Sequence, residues 1–212
     1  MTGSTPVIII DYGMGNLGSL ANMLKKIQVP SKISSDISDI ETAEKLILPG
    51  VGSFDHGMQR LHELGLIDIL DKKVVSDKTL ILGICLGMQL FTNTSEEGTQ
   101  KGLGWVDGKT IKFNLNTMSS LKIPHMGWES LDLKKKHFIV QDSDRDAMYY
   151  FVHSYHVVCN RIEDVLSTSH YGYDFVSSLA KDNIVGVQFH PEKSHKYGMK
   201  LLENFCNQKT NV

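Results

Sequence analysis

The chemistry most legible in this chain is that of a sulfur nucleophile. Cys85 stands in Gly83-Ile84-Cys85-Leu86-Gly87, directly after the apolar run Thr79-Leu80-Ile81-Leu82 and before Met88, Gln89, Leu90 and Phe91, which suit a helix. Gly-x-Cys-x-Gly in that setting is the sulfur counterpart of a nucleophile elbow, a tight strand-to-helix turn that lifts the nucleophile above the end of a sheet. The flanking glycines suit a place where the backbone crowds. The positive end of the following helix favours the thiolate, which is the reactive form, and the N–H of Leu86 is placed to donate to a developing oxyanion. The competing reading of Cys85 is a small buried apolar residue at a strand end.

Two further stretches offer what a thiol needs. Gln188-Phe189-His190-Pro191-Glu192 follows the apolar run Ile184-Val185-Gly186-Val187. Proline restricts itself and the residue before it, so His190 and Glu192 can be held in a fixed relation. His190 can act as base toward a thiol, and Glu192 can orient the imidazole and stabilise its charge. The chain has nine histidines, and most histidines do no chemistry; a strand-end His-Pro-Glu beside a cysteine elbow is far more specific. Pro49-Gly50-Val51-Gly52 ends another apolar strand, and its amides suit an oxyanion, or equally a plain strand-to-helix turn. It lacks the Gly-Lys-Ser/Thr ending of a phosphate-binding loop, which removes nucleoside triphosphate chemistry.

The elements that must position these residues read as follows. Pro6 to Ile10 is a wholly apolar run of the kind expected in a strand covered on both faces, and the stretch from Glu44 reads as a further strand ending in the glycine-rich loop of Pro49 to Gly52. Leu20, Met23, Leu24 and Ile27 recur at helical spacing, as do Met58, Leu61 and Leu64, then Leu66, Ile69 and Leu70. The elbow helix is expected from Leu86 to about Asn93. Beyond it come short strand-like pieces, Gly102 to Phe113, Ala147 to Val152, His156 to Cys159 and Phe175 to Ala180, with a hairpin turn at Tyr171-Gly172-Tyr173-Asp174. Ile184 to Phe189 forms the last strand, and Ser194 is placed to cap a C-terminal helix carrying Tyr197, Leu201, Leu202 and Phe205. The fold expected is α/β: a central mixed, mostly parallel sheet flanked by helices, with antiparallel additions in the second half.

One motif points elsewhere. Gly13-x-Gly15-x-x-Gly18 matches a dinucleotide fingerprint, lies between strand and helix, and has Asp36 about where a ribose-binding acid would fall. Against it, Asp11 and Tyr12 separate the strand from the glycines, and Lys32 to Ser34 is short and polar for a second strand. A tight turn or partner-facing loop is the alternative.

Composition bounds the rest. A chain of 212 residues, 41% hydrophobic, can bury a full core within one domain. With 22 basic against 24 acidic residues there is no electrostatic reason to expect nucleic acid or a membrane surface. Cys85, Cys159 and Cys206 are an odd count without zinc spacing, so neither a disulfide framework nor a cysteine metal site is expected. No basic-then-apolar leader and no bilayer-length run is found, which points to a reduced, cytoplasmic setting. Lys134-Lys135-Lys136 reads as a solvated loop.

Pro49-Gly50-Val51-Gly52, Gly83 to Gln89 and Gln188 to Glu192 resemble, in family order, the three motifs of class I glutamine amidotransferase domains, and the set spans nearly the whole chain. Asp11-Tyr12-Gly13-Met14-Gly15-Asn16-Leu17, Pro124-His125-Met126-Gly127-Trp128, Tyr150-Phe151-Val152-His153-Ser154-Tyr155 and Lys193-Ser194 resemble more narrowly the glutaminase subunits of imidazole glycerol phosphate synthases, which serve histidine biosynthesis. That resemblance implies a single amidotransferase domain over 1–212 and a subunit-facing turn at Gly13. It implies that Cys85 attacks the side-chain amide of L-glutamine, releasing ammonia and leaving a thioester that water hydrolyses, with His190 shuttling protons and Glu192 behind it. Val51, Gly52 and Leu86 would hold the oxyanion; Gly50, Gly52, Gln89, Ser154 and Tyr155 would grip the substrate. Ammonia would pass to a cyclase subunit of (β/α)8-barrel type, in a heterodimer, to form imidazole glycerol phosphate and aminoimidazole-carboxamide ribotide.

By the same resemblance Asn16, Met126, Trp128, Tyr150 and Lys193 match partner-interface positions, with core packing as the alternative for Trp128 and Tyr150. No cofactor and no metal is implied. One departure stands out: His-Met-Gly-Trp is usually followed by asparagine in the family, and here by Glu129. A position near the interface that differs raises a second acceptor, a paralogous partner that uses the ammonia to amidate a surface sugar.

Overall fold

The computed structural model describes residues 5–115, 120–140 and 146–209. Its first half is built from βα units. β1 (Val7–Ile10) leads to α1 (Leu17–Lys26), β2 (Ser31–Ser34) to α2 (Ile37–Thr42), and β3 (Lys45–Gly50) to α3 (Phe54–Glu63) and α4 (Leu66–Asp71), with a π turn over Lys72–Ser76. β4 (Leu80–Cys85) then runs straight into α5 (Leu86–Leu90). All four residues of β1 and all six of β4 are buried, which is why they are unbroken apolar runs rather than alternating ones.

The second half supplies β5 (Thr94–Ser95), β6 (Gly108–Lys112), β7 (His125–Glu129), β8 (Asp132–Leu133), β9 (Tyr149–His153), β10 (Tyr155–Cys159), β11 (Val165–Tyr171), β12 (Tyr173–Lys181) and β13 (Ile184–Val187), then α6 (His195–Asn207). Among the described residues the main sheet runs β2-β1-β3-β4-β13-β12-β10-β6-β5, with β11 pairing β12 and β8. β2, β1, β3, β4 and β13 are mutually parallel; β12, β10 and β6 continue the sheet antiparallel. β7 and β9 form a separate antiparallel pair laid beside it.

Register brings the three motifs together. β3 and β4 pair with Gly50 opposite Cys85, and β4 pairs with β13 so that Val187 lies opposite Ile84. The loop after Gly50, the cysteine and the residues after Val187 therefore leave the sheet side by side at its carboxyl edge, where α/β sheets hold their ligands. Helices cover both faces: Leu61, Leu66 and Leu70 on one side, Leu20, Leu24, Leu201 and Phe205 on the other, all at most 1% exposed.

Several boundaries differ from the sequence reading for local reasons. The expected strand over Gly102 to Phe113 is only Gly108–Lys112, and α5 ends at Leu90 rather than near Asn93. There the Thr92 hydroxyl donates to Gln89 O at 2.8 Å while Phe91 and Thr92 N–H tighten onto Met88 and Gln89, so the next helical turn has no carbonyls to use. Ser194 precedes α6 without capping it by its side chain; its hydroxyl instead donates to His190 O (2.7 Å) and accepts from Tyr150 N (3.0 Å). Lys135 is not merely solvated, since its ammonium donates to Glu163 O and Ala180 O. Asp36 is occupied as the N-cap of α2, accepting from Ser38 N at 2.9 Å, and Gly13 and Gly15 simply adopt the positive φ that their turn requires. No helix among the described residues is long and apolar enough to cross a membrane.

Candidate active site

Cys85 has φ 53° and ψ −108°, a conformation that L-residues rarely adopt. The strain is held by crowding around it: a Cβ on Gly87 would lie 1.8 Å from Leu48 O, and one on Gly83 would lie 2.5 Å from the Phe91 ring. The elbow is thus clamped between β3 and its own short helix.

His190 follows β13 and is fixed from three sides. Its N–H donates to Tyr150 O at 2.9 Å, its carbonyl accepts from Ser194, and its Nδ1 donates to Glu192 Oε1 at 2.8 Å. The side chains of His190 and Glu192 are 2% and 3% exposed. With Nδ1 committed to the carboxylate, the buried Nε2 is left toward Cys85. Burial alone would hold this ring neutral, yet hydrogen bonding to Cys85 and Glu192 and the charge on both outweigh it, and the imidazole pKa rises to about 10.

Beside these groups lies a cavity of about 230 Å3, small by the standard of ligand pockets. Cys85, His190, Val51, Gly52, Leu86, Gln89, Ser154, Tyr155 and Lys193 all border it. Gly50 stands one step behind, buried and paired with Cys85. Gln89 is oriented without ambiguity: a carbonyl can only accept, so the contact with Tyr155 O (3.1 Å) must be made by Nε2, which also donates to Gln188 Oε1 (3.0 Å). The Gln188 amide then donates to Cys85 Sγ at 3.6 Å.

Sequence reasoning missed four groups here. Glu97 borders the cavity and accepts from Phe54 N at 2.8 Å, capping α3; an acid in a polar loop carries no pattern that would have marked it. Gln188 was read only as part of a motif. His153 also borders the cavity. Tyr12 is wholly buried with an unpartnered hydroxyl, and burial together with the negative charge of Cys85 holds its phenol protonated well beyond the usual range. Among the described residues, no cluster of three or more His, Cys, Asp or Glu is placed to hold a metal.

Of the residues matched to a partner interface, Trp128, Tyr150 and Lys193 cluster beside this cavity, which Lys193 borders. Trp128 meets Tyr150 edge-on at 5.6 Å and stacks flat on His195 at 5.4 Å, and the Lys193 ammonium lies 5.5 Å from the Tyr150 ring centre. Met126, on the same side of β7 as Trp128, is 62% exposed. Asn16 is exposed at the start of α1, its side chain accepting from Ser19 N. Strand alternation turns Glu129 away from Met126 and Trp128 toward His125, whose Nε2 lies 3.4 Å from its carboxylate.

Known proteins match this chain over nearly its whole length. Residues 8–209 match the family described as glutamine amidotransferase class-I. The chain is 56% identical over 202 residues to imidazole glycerol phosphate synthase subunit HisH 2 of Methanococcus maripaludis, covering 95% of this chain and 99% of that one. It is 45% identical to the protein of the same name from Pseudomonas aeruginosa, covering 94% and 98%. The glutaminase domain of Trypanosoma brucei CTPS, solved with bound acivicin, shares the fold at TM-score 0.62 with 14% identity, over 98% and 96% of the two chains.

Proposed function

The chain belongs to the class I glutamine amidotransferases and, within them, to the HisH glutaminase subunits of imidazole glycerol phosphate synthase, and from that premise we propose how its own residues do the work. Cys85 attacks the δ-carbon of L-glutamine. The charge that develops on the amide oxygen is taken by the N–H of Leu86 and an amide of Val51 or Gly52; losing one such donor typically costs about 3 kcal/mol of barrier. His190 passes a proton to the departing nitrogen, and Glu192 holds the ring in the tautomer and charge state for that transfer. Water, with His190 now taking its proton, cleaves the glutamyl thioester and frees Cys85.

Gln89 and Glu97 present acceptors suited to the α-ammonium group of glutamine, while Ser154, Tyr155 and the Gly50 to Gly52 loop complete the grip. The ammonia passes to a cyclase subunit of (β/α)8-barrel type docked, as a heterodimer, on Asn16, Met126, Trp128, Tyr150 and Lys193, for histidine biosynthesis in the cytoplasm. One domain over 1–212 carries the glutaminase half of the reaction.

The observation that carries this reading is the convergence at one sheet edge of Cys85 with a histidine whose far nitrogen is bound to a buried carboxylate at 2.8 Å. Its test is Cys85→Ala in complex with the cyclase subunit. Glutamine-dependent synthesis should vanish while synthesis from added ammonium persists. Glutamine-dependent turnover by the variant would remove Cys85 from the mechanism. The second acceptor raised by Glu129, a paralogous partner that amidates a surface sugar, is an alternative outcome of the same experiment. A complex that releases ammonia from glutamine yet forms no imidazole glycerol phosphate would move the acceptor to an amidated sugar.

A further inference from the structure

Behind Tyr155 lies a buried pair of imidazoles that the chemistry above does not use. His153 Nδ1 is 2.8 Å from Tyr155 O, and His153 Nε2 is 3.2 Å from His125 Nδ1. The two rings are 6% and 1% exposed. They are walled by aromatic rings: His125 is stacked between Tyr171 (4.0 Å) and Phe151 (5.4 Å), and Phe113 and Phe175 lie against His153 at 5.2 Å each. Desolvation keeps both neutral at ordinary pH, with pKa values pushed down to about 4 and about 3.

For neutral rings the directions follow from the carbonyl. Tyr155 O can only accept, so His153 carries its proton on Nδ1. His153 Nε2 is then a lone pair, so His125 must also carry its proton on Nδ1 and donate it. Tyr155 O is the same atom that receives Gln89 Nε2, Gln89 holds Gln188, and Gln188 donates to Cys85 Sγ. Two donors therefore converge on Tyr155 O, His153 from one side and Gln89 from the other, and the far end of the imidazole arm is His125 on β7, the strand that also carries Met126 and Trp128.

We propose that His125 and His153 are positioning residues of the glutaminase site: His125 fixes the tautomer of His153, which fixes the Tyr155 carbonyl and, through it, the orientation of Gln89 at the cavity wall. The inference rests on the glutaminase reading and adds two residues to it. It acts on the grip on glutamine rather than on the sulfur, because Gln89 borders the cavity and the link to Cys85 is the longest in the chain.

The test compares wild type, His125→Phe and His125→Asn, each in complex with the cyclase subunit. Long-range 1H–15N spectra of histidine-labelled protein give the tautomers, steady-state ammonia release gives KM and kcat, and iodoacetamide gives the alkylation rate of Cys85. Phenylalanine keeps the ring stack and removes the donor; the asparagine amide restores an N–H near the place of Nδ1. In wild type both rings should carry the proton on Nδ1. His125→Phe should raise KM about tenfold, the worth of one hydrogen bond, with kcat and alkylation within about twofold of wild type, and His125→Asn should recover most of the loss. A proton on His153 Nε2 in wild type, or an unchanged KM in His125→Phe, would overturn the proposal. So would a joint loss of activity and thermal stability that asparagine does not restore. A wild-type complex with the expected tautomers but no ammonia release would defeat the glutaminase reading, and the inference with it, by a signature distinct from failure of the pair.

Discussion

His190 and His153 border the same cavity and are both nearly sealed from water, yet they hold opposite charge states. His190 has a carboxylate on one nitrogen and a sulfur toward the other, and stays charged up to about pH 10. His153 has a carbonyl on one nitrogen and a second neutral imidazole on the other, inside an aromatic cage, and stays neutral down to about pH 3. Burial alone disfavours charge in both rings. The charged groups on its two nitrogens, Cys85 first and Glu192 second, make His190 the ring that can move protons, whereas His153, with only neutral partners, can hold a geometry.

The most severe way to break this contrast is Glu192→Gln, which gives His190 a neutral partner and makes its surroundings resemble those of His153. Glutamine-dependent turnover should fall on the order of a hundredfold or more, with KM little changed, read by ammonia release in the complex. A variant within about twofold of wild type would show that Glu192 contributes nothing beyond packing.

pH sharpens the contrast next, because the two shifts have opposite signs. His190 is raised from its ordinary 6.5 to about 10, so its contribution to stability is complete below 6.5 and is lost as pH climbs to 10. His125 and His153 are lowered to about 4 and about 3, so their contribution is present above 6.5 and is lost as pH falls toward those values. Thermal unfolding of the wild-type chain should show both limbs; Glu192→Gln should shrink the alkaline one, with the contribution of Cys85 remaining, and leave the acid one. Turnover should likewise fall as pH passes about 10, where the imidazolium can no longer supply the proton for ammonia.

The same physics separates the thiols. Burial pushes Cys159 up to about 12 and Cys206 up to about 11. Iodoacetamide at neutral pH should therefore modify Cys85, with the imidazolium beside it, well before either. Mass spectrometry of a partial reaction reads the order, and preferential labelling of Cys159 or Cys206 would contradict it.

Much of this was legible in the sequence where a single short stretch carries its own reason. β4 and the elbow announce themselves because a fully buried strand is an unbroken apolar run and because crowding demands glycine at 83 and 87. β7 and β11 did not, since HMGWE and VLSTSHY mix exposed, polar and aromatic residues whose strand state is set by the neighbours they pair with. The Gly13 loop carried two readings for a related reason: positive-φ glycines after a strand serve any tight turn, with or without a nucleotide. The His125 and His153 pair was out of reach for another reason, since its halves lie in separate motifs and only the pairing of β7 with β9 sets them opposite one another. Glu129 was noticed as a departure, but its inward orientation came only with the strand.

That orientation gives the smallest expected effect. His125 Nε2 is a buried lone pair with a carboxylate 3.4 Å away, and burial raises the carboxyl pKa of Glu129. Glu129→Gln offers the lone pair an N–H, and should stabilise the chain at neutral pH by roughly 0.5 kcal/mol, seen as a small rise in Tm. A fall in Tm would mean that the carboxylate is held by something other than His125.

The claim beneath all of these is that the sulfur of Cys85 becomes acylated by glutamine. Acid-quenching the working complex within its first turnovers and mapping the adduct by peptide mass spectrometry tests it directly. The account expects a glutamyl group on the peptide carrying Cys85, lost on raising the pH and absent from Cys85→Ala. An adduct on Cys159 or Cys206, or turnover with no acylated thiol at any quench time, would contradict it.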